Sequence, residues 1–250
     1  PTVIDCSRAG NSGVINIEWQ LLSFGTGVEV RHLSQTITTA TPQNVNVALS
    51  PTVPRAGTFF LASYSTTGNG AFDFDDLPSF ELIGPATMPW DNLQVRNGFD
   101  FSLGTTPSFV LNAQVVTWTG LAVESGIVSN TSGNSWSGTA NTAASASMAL
   151  LYSNRMSAAP AMNGGALCRY RLRGSLNVGT PQFSRGSGSM GNCTDTNMGE
   201  TVWYRLGFPT TLGTVSSQSN LAVNGGTSGT WNLGRLVPAD RTWSFLGGQG

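Results

Sequence analysis

The sequence predicts an all-β protein made of tandem β-sandwich-like units, Ig-like or jelly-roll-like, each about 90 residues long. Three observations predict it. Apolar and polar residues alternate along short segments, the period-2 signature of half-buried strands. Clusters of Gly, Pro, Asn and Asp separate those segments. Blocks of similar sequence return in the same order along the chain.

The first strand is expected over residues 14–24, where Ile15, Ile17, Trp19 and Leu21 share one face and Glu18 and Gln20 the other. Val28-Glu29-Val30-Arg31 and Val45-Asn46-Val47-Ala48-Leu49 alternate in the same way, as do residues 58–64 and 109–118. Thr67-Gly68-Asn69-Gly70 and Asn163-Gly164-Gly165 punctuate them as turns. Residues 143–151 have the Ala and Met content of a helix, but their place in the repeat makes them a strand.

That repeat is marked by Arg8, Arg96 and Arg185, spaced at intervals of about 90 residues. After each comes a strand with a similar centre: Trp19-Gln20-Leu21-Leu22-Ser23-Phe24, Ala113-Gln114-Val115-Val116-Thr117-Trp118 and Trp203-Tyr204-Arg205-Leu206-Gly207-Phe208. Tyr64 and Tyr152 keep a similar interval. The expected units are residues 1–88, 89–177 and 178–250. Setting Trp203 on Trp19 places Arg205 where Leu21 stands, which puts a charge on the core face. A one-residue slip or a bulge near Trp203 is expected to restore the alternation. The third unit lacks a counterpart of residues 80–83 and 170–173. It is expected to be completed by further chain or by a strand from a neighbouring subunit, with residues 1–10 the most available donor.

The succession of Arg-x-Gly or its variant, an alternating strand, a Gly and a second strand resembles a repeat of large bacterial surface and phage structural proteins, whose units read like "WQVVEF…G…VQ.G". Residues 6–33 carry it best, through Arg8, the Trp19 to Phe24 block and Gly27-Val28-Glu29-Val30. Residues 94–126 follow, through Arg96, Gln114-Val115-Val116, Trp118 and Gly120. The third copy departs, with Tyr204-Arg205 where Gln-Val is usual. The resemblance implies a non-enzymatic building block of an extracellular or virion assembly.

Composition points the same way. Charged residues are 10% of the 250, against about 25% in ordinary soluble domains. All 12 basic residues are Arg, and the net charge is -1 with both signs scattered. The electrostatic footprint of a nucleic-acid partner is missing. No apolar run approaches the roughly 18 residues of a membrane helix, so no membrane insertion is expected. The chain opens at Pro1 without a signal-peptide pattern and reads as a processed or excised piece. Without Lys, trypsin-like cleavage sites are few, which suits a protease-exposed, densely packed extracellular assembly.

Few residues offer chemistry. His32 is the single histidine, so a multi-His zinc site is excluded and any catalytic triad would depend on it. Beside Arg31 it reads as a solvent-facing strand residue. Asp73, Asp75 and Asp76 follow a Gly/Asn loop and form a weak Ca²⁺ candidate, without the spacing of an EF-hand. No cofactor is expected. Recurrence of Arg8, Arg96 and Arg185 favours a guanidinium spanning a loop at the sheet end over a repeated ligand contact. Trp19 and Trp203 read as structural. Arg169, Arg171 and Arg173 alternate on one strand face, as a solvated face or an interface with an acidic neighbour.

Cys193 sits in a stretch, 186–200, that the first unit lacks, and Cys168 lies 25 residues before it. The pair suits a Cys168–Cys193 staple contributing about 3 kcal/mol and an oxidising compartment; Cys6 is then left buried or bridging to another chain. Asn130-Thr131-Ser132 and Asn192-Cys193-Thr194 fit the glycosylation pattern. Trp90, Trp136 and Trp231 are the aromatics expected at the surface, and Trp136, in Asn134-Ser135-Trp136-Ser137-Gly138, is the best sugar-stacking candidate. The leading expectation is a structural subunit that associates with itself or with other structural subunits; the alternative is an adhesin or receptor-binding module whose loops recognise surface glycans.

Overall fold

A computed structural model describes residues 26–37, 44–67, 78–96, 108–130, 135–139, 147–155, 172–185 and 199–209. Strands make up 80% of these residues and none is helical. In chain order they are β1 (Val28–Ile37), β2 (Asn44–Val53), β3 (Thr58–Thr67), β4 (Ser79–Ile83), β5 (Trp90–Arg96), β6 (Ser108–Trp118), β7 (Ala122–Asn130), β8 (Ser135–Ser137), β9 (Ser147–Arg155), β10 (Leu172–Asn177), β11 (Thr180–Arg185) and β12 (Gly199–Phe208). Of the Ala- and Met-rich stretch expected to be a strand, residues 147–151 lie in β9, and 143–146 lie outside the described residues. The strand expected over 14–24 lies outside the described residues.

Pairing is antiparallel throughout and gives four three-stranded sheets, ordered β1-β6-β3, β2-β5-β4, β7-β12-β9 and β8-β11-β10. The order of the first six strands returns unchanged in the last six. Each set also begins after a glycine of positive φ, Gly27 at 91° and Gly120 at 86°. These two turns are tied together, the Thr119 N–H donating to the Gly27 carbonyl at 2.8 Å. The places 88/89 and 177/178 fall in hairpin turns, and the strands on either side of each pair with one another, β4 with β5 and β10 with β11.

Strand chemistry sets which faces are covered. In β6, Leu111, Ala113 and Val115 are buried on one face, and Val116 on the other. Towards the middle of the sheet that second face turns polar, with Ser34, Asn112 and Ser63 in one row across β1, β6 and β3. The next sheet has a matching outward row, where the Gln94 side-chain amide donates to Asn46 Oδ1 at 3.1 Å. Pro51, which cannot donate to a ladder, sits in edge strand β2 where its register against β5 is interrupted.

β12 is buried on both faces from Thr201 to Phe208. Val202, Tyr204, Leu206 and Phe208 enter a core shared with the β1-β6-β3 and β2-β5-β4 sheets. Phe60 and Trp118 meet Tyr204 and Phe208 edge-on, at 5.3 and 5.9 Å between ring centroids. Trp203 faces the other way and packs with Phe183, Trp136 and Leu150. The β7-β12-β9 sheet is thus an inner layer with apolar material on both sides.

Tyr204 also closes a sheet edge. Leu82 lies on β4, an edge strand, and its N–H donates to the Tyr204 hydroxyl at 2.8 Å in a buried position. Burial pushes that hydroxyl far above the usual tyrosine range. Tyr204→Phe strands a buried N–H and is expected to cost about 1–2 kcal/mol. Urea denaturation measures this, and an unchanged midpoint would show that the bond contributes nothing.

The β10–β11 hairpin turns through Val178 and Gly179, with φ of 47° and 78°. Positive φ at both central positions is the type I′ pattern, which favours Asn-Gly. A β-branched residue there is strained, and Val178 is 95% exposed, so it gains no burial in return. Val178→Asn is therefore expected to stabilise the protein by about 1 kcal/mol. A thermal midpoint equal to or below that of the parent would refute the strain.

Candidate functional site

The most developed polar centre grows from the charge that the sequence placed in the core. β12 pairs with β7 from Gly199 to Gly207 and with β9 from Glu200 to Phe208 without a break in register. The expected slip or bulge at Trp203 is absent. Arg205 instead keeps its buried position, 2% exposed, and is satisfied there. One guanidinium nitrogen donates to the Gly179 carbonyl in the β10–β11 turn and, at 3.5 Å, to the Thr139 carbonyl beyond β8. The other forms an ion pair with Glu124, its cross-strand neighbour on β7. Five fixed donors make Arg the side chain able to serve acceptors on three segments at once. Burial pulls the guanidinium below its ordinary range, though arginine stays protonated in proteins.

Aromatic packing surrounds this centre. The Trp203 ring lies over Gly126 and Gly138, and a Cβ built on either would come within 2.8 and 3.0 Å of it respectively. The Trp136 indole N–H donates to Thr201 Oγ1 at 3.1 Å, and its ring is tilted against Phe183 at 6.4 Å. Trp136 is half-buried; its N–H serves the fold and part of its ring remains accessible.

A second arginine clamp holds the β4–β5 loop. The Arg55 guanidinium stacks 3.5 Å from the centre of the Trp90 ring and donates to the carbonyls of Met88, Gly84 and Pro85 at 2.7, 3.0 and 2.8 Å. Trp90, expected at the surface, is buried at 9% exposure because the guanidinium and the core enclose it. Arg31 joins β1 to β2 by donating to the Pro51 carbonyl, while Glu29 holds its Nε at 2.8 Å.

The other sequence candidates are dispersed. His32 is exposed in β1 opposite Gln114. Arg96 ends β5, half-buried between Asn44 and Ser79, and Arg185 ends β11 opposite Leu172. Arg8, Trp19, Asp73, Asp75, Asp76, Cys6, Cys168, Cys193, Arg169, Arg171 and Trp231 lie outside the described residues. Among the described residues no three His, Cys, Asp or Glu side chains come together as metal ligands.

No family model, curated protein or solved structure matches this chain.

Arg55 and Glu124 had no sequence signal: an arginine in a turn and a glutamate on a strand look solvated until their partners are known. Arg205 did have one, as the charge that broke a core alternation.

Proposed function

We propose that the chain is a non-enzymatic structural subunit or segment of an extracellular or virion assembly, such as a fibre, surface layer, tail or capsid decoration. The observation that carries this reading is the strand order used twice, β1-β6-β3 over β2-β5-β4 and then β7-β12-β9 over β8-β11-β10. In this reading each set is one β-sandwich-like unit, running from a Thr-Gly turn, Thr26-Gly27 or Thr119-Gly120, to the end of its sixth strand. The nested order is that of a rolled hairpin, the jelly-roll arrangement found in capsid and lectin domains. That is an analogy of fold, and the site chemistry must agree with it.

It does agree. Arg55 and Arg205 use their donors on backbone carbonyls of their own chain. The outward rows are mostly amides and hydroxyls, Ser34, Asn112 and Ser63 on one sheet and Asn46 and Gln94 on the next, where Glu81 completes the row. Such surfaces suit close packing against copies of the same chain or other structural subunits, outside the cell. Electron microscopy of the native material is the test. Regular polymers or particles containing the chain support the proposal, and a dispersed monomer sinks it.

The alternative, a glycan-recognising adhesin, rests on the accessible part of the Trp136 ring. A glycan array separates the two, because saturable binding lost in Trp136→Ala favours the adhesin.

A further inference from the structure

We propose that Glu124 and Arg205 form an acid-sensitive latch that holds the β8-β11-β10 sheet on β12 and releases it when Glu124 takes up a proton. The proposal is independent of what the protein assembles into. Arg205 is enclosed, whereas the Glu124 side chain is 45% exposed, so protons reach the anion and leave the cation in place. The guanidinium donates to the Gly179 turn and the Thr139 segment, two of the points where the covering sheet meets β12. Beneath that sheet lie Trp203 and Phe183, both buried.

Among the described residues, the strands around this pair supply no other negative charge to it. β8, β9, β10 and β11 contain no Asp or Glu. Arg155 and Glu200 stand opposite each other at the far end of the β9–β12 pair. Arg173 and Arg185 lie at the end of the β10–β11 hairpin away from Gly179. Trp203 is beside the guanidinium, 5.8 Å from ring centre to Cζ, and carries no charge.

The equivalent strand shows that the architecture does not need the pair. β6 holds between β1 and β3 the place that β12 holds between β7 and β9. Matching the Ala113 block with the Trp203 block puts Val115 at the position of Arg205. Val115 is buried at 1% exposure, and its sheet forms without a charge there. A buried ion pair is commonly replaceable by apolar residues without loss of stability, whereas removing one partner is costly. The pair therefore adds a pH response that a valine lacks. Its sign is fixed: the ionised carboxylate stabilises the docked sheet at neutral pH, and this stabilisation is lost in acid, below the ordinary carboxylate range, because the ion pair holds the proton off.

Hydrogen exchange of the 250-residue protein between pH 7 and pH 2.5, corrected for intrinsic rates, tests the latch. Protection of residues 172–185 is expected to fall by at least about tenfold on acidification, ahead of β1, β3 and β6. Glu124→Gln is expected to show the lowered protection already at pH 7, with no acid step. Glu124→Leu with Arg205→Met is expected to give the hairpin a protection that no longer changes with pH. Parent protection that follows β1, β3 and β6 across the range overturns the proposal, as does an acid step surviving in the double variant. The parent and double variant decide the matter even if Glu124→Gln does not fold.

Discussion

Gly57→Ala is expected to destabilise the protein by about 3 kcal/mol, combining backbone strain with overpacking. Gly57 has φ of 73°, a left-handed conformation that costs an L-residue about 1–2 kcal/mol. Its added Cβ would also lie 2.3 Å from the Trp118 carbonyl oxygen and 3.2 Å from the carbonyl carbon. Those atoms cannot swing aside as a side-chain tip can. They belong to the end of β6, and the Trp118 N–H is itself bonded to the Gly57 carbonyl at 2.8 Å. Relief requires prising the β2–β3 turn away from the central strand of its sheet. Gly27 provides the control: its φ is 91°, but the nearest atom to an added Cβ is Thr119 Cβ at 3.8 Å. Gly27→Ala carries the strain without the clash and is expected to cost only about 1–2 kcal/mol. Chemical denaturation of both variants measures the difference, and equal losses would show that the turn yields freely.

The contrast between these two glycines shows what the sequence could reveal. A Gly between two strands was legible at Gly27 and Gly120, and both take the positive φ of a turn. That Gly57 presses on Trp118 depends on the contact between two segments far apart in the chain, which no local pattern records. The same division holds for the strands. β1, β2, β3 and β6 were legible because one face of each is more polar, leaving a period of two. β12 is covered on both faces, so its alternation carries no polarity. Arg205 therefore looked like an error of register when it was a buried ion-paired residue. β8 and β11 are short and neighbour Ser- and Gly-rich stretches, too brief for a period to emerge. Trp90 was misplaced at the surface because its cover, Arg55, comes from another turn. The repeat interval, finally, was readable as similarity between blocks, while the pairing partners of each block were not. Similarity gives a spacing; only the hydrogen-bond ladders show which strands share a sheet.

Arg205→Met is expected to lower stability by about 2–3 kcal/mol, less than the 3–5 kcal/mol typical of breaking a fully buried pair. Methionine fills most of the same volume, so the loss comes from polar groups rather than from a cavity. The carbonyl of Gly179, the buried residue of the turn, loses its guanidinium donor, which costs about 1–3 kcal/mol if nothing replaces it. Glu124 loses its cation, but nearly half of its side chain is exposed and its charge can rehydrate, which is why the larger figure is discounted. Arg205→Lys is expected to cost nearly as much, although it keeps the charge. A lysine ammonium is a point donor on a flexible stem and lacks the planar fork that reaches Glu124 and Gly179 together. Adding Glu124→Leu to Arg205→Met is expected to cost less than the sum of the two single losses, because an apolar pair leaves no unpaired charge, while the Gly179 carbonyl stays without its donor. The double-mutant cycle, measured by urea denaturation at pH 7, gives the coupling directly. Strictly additive losses would mean that the guanidinium and the carboxylate act separately. A neutral Arg205→Met would mean that the carbonyl of the hairpin turn never depended on this side chain, and the docking of the outer sheet on β12 would then rest on the packing of Trp203, Phe183 and Trp136 and on the Trp136 bond to Thr201.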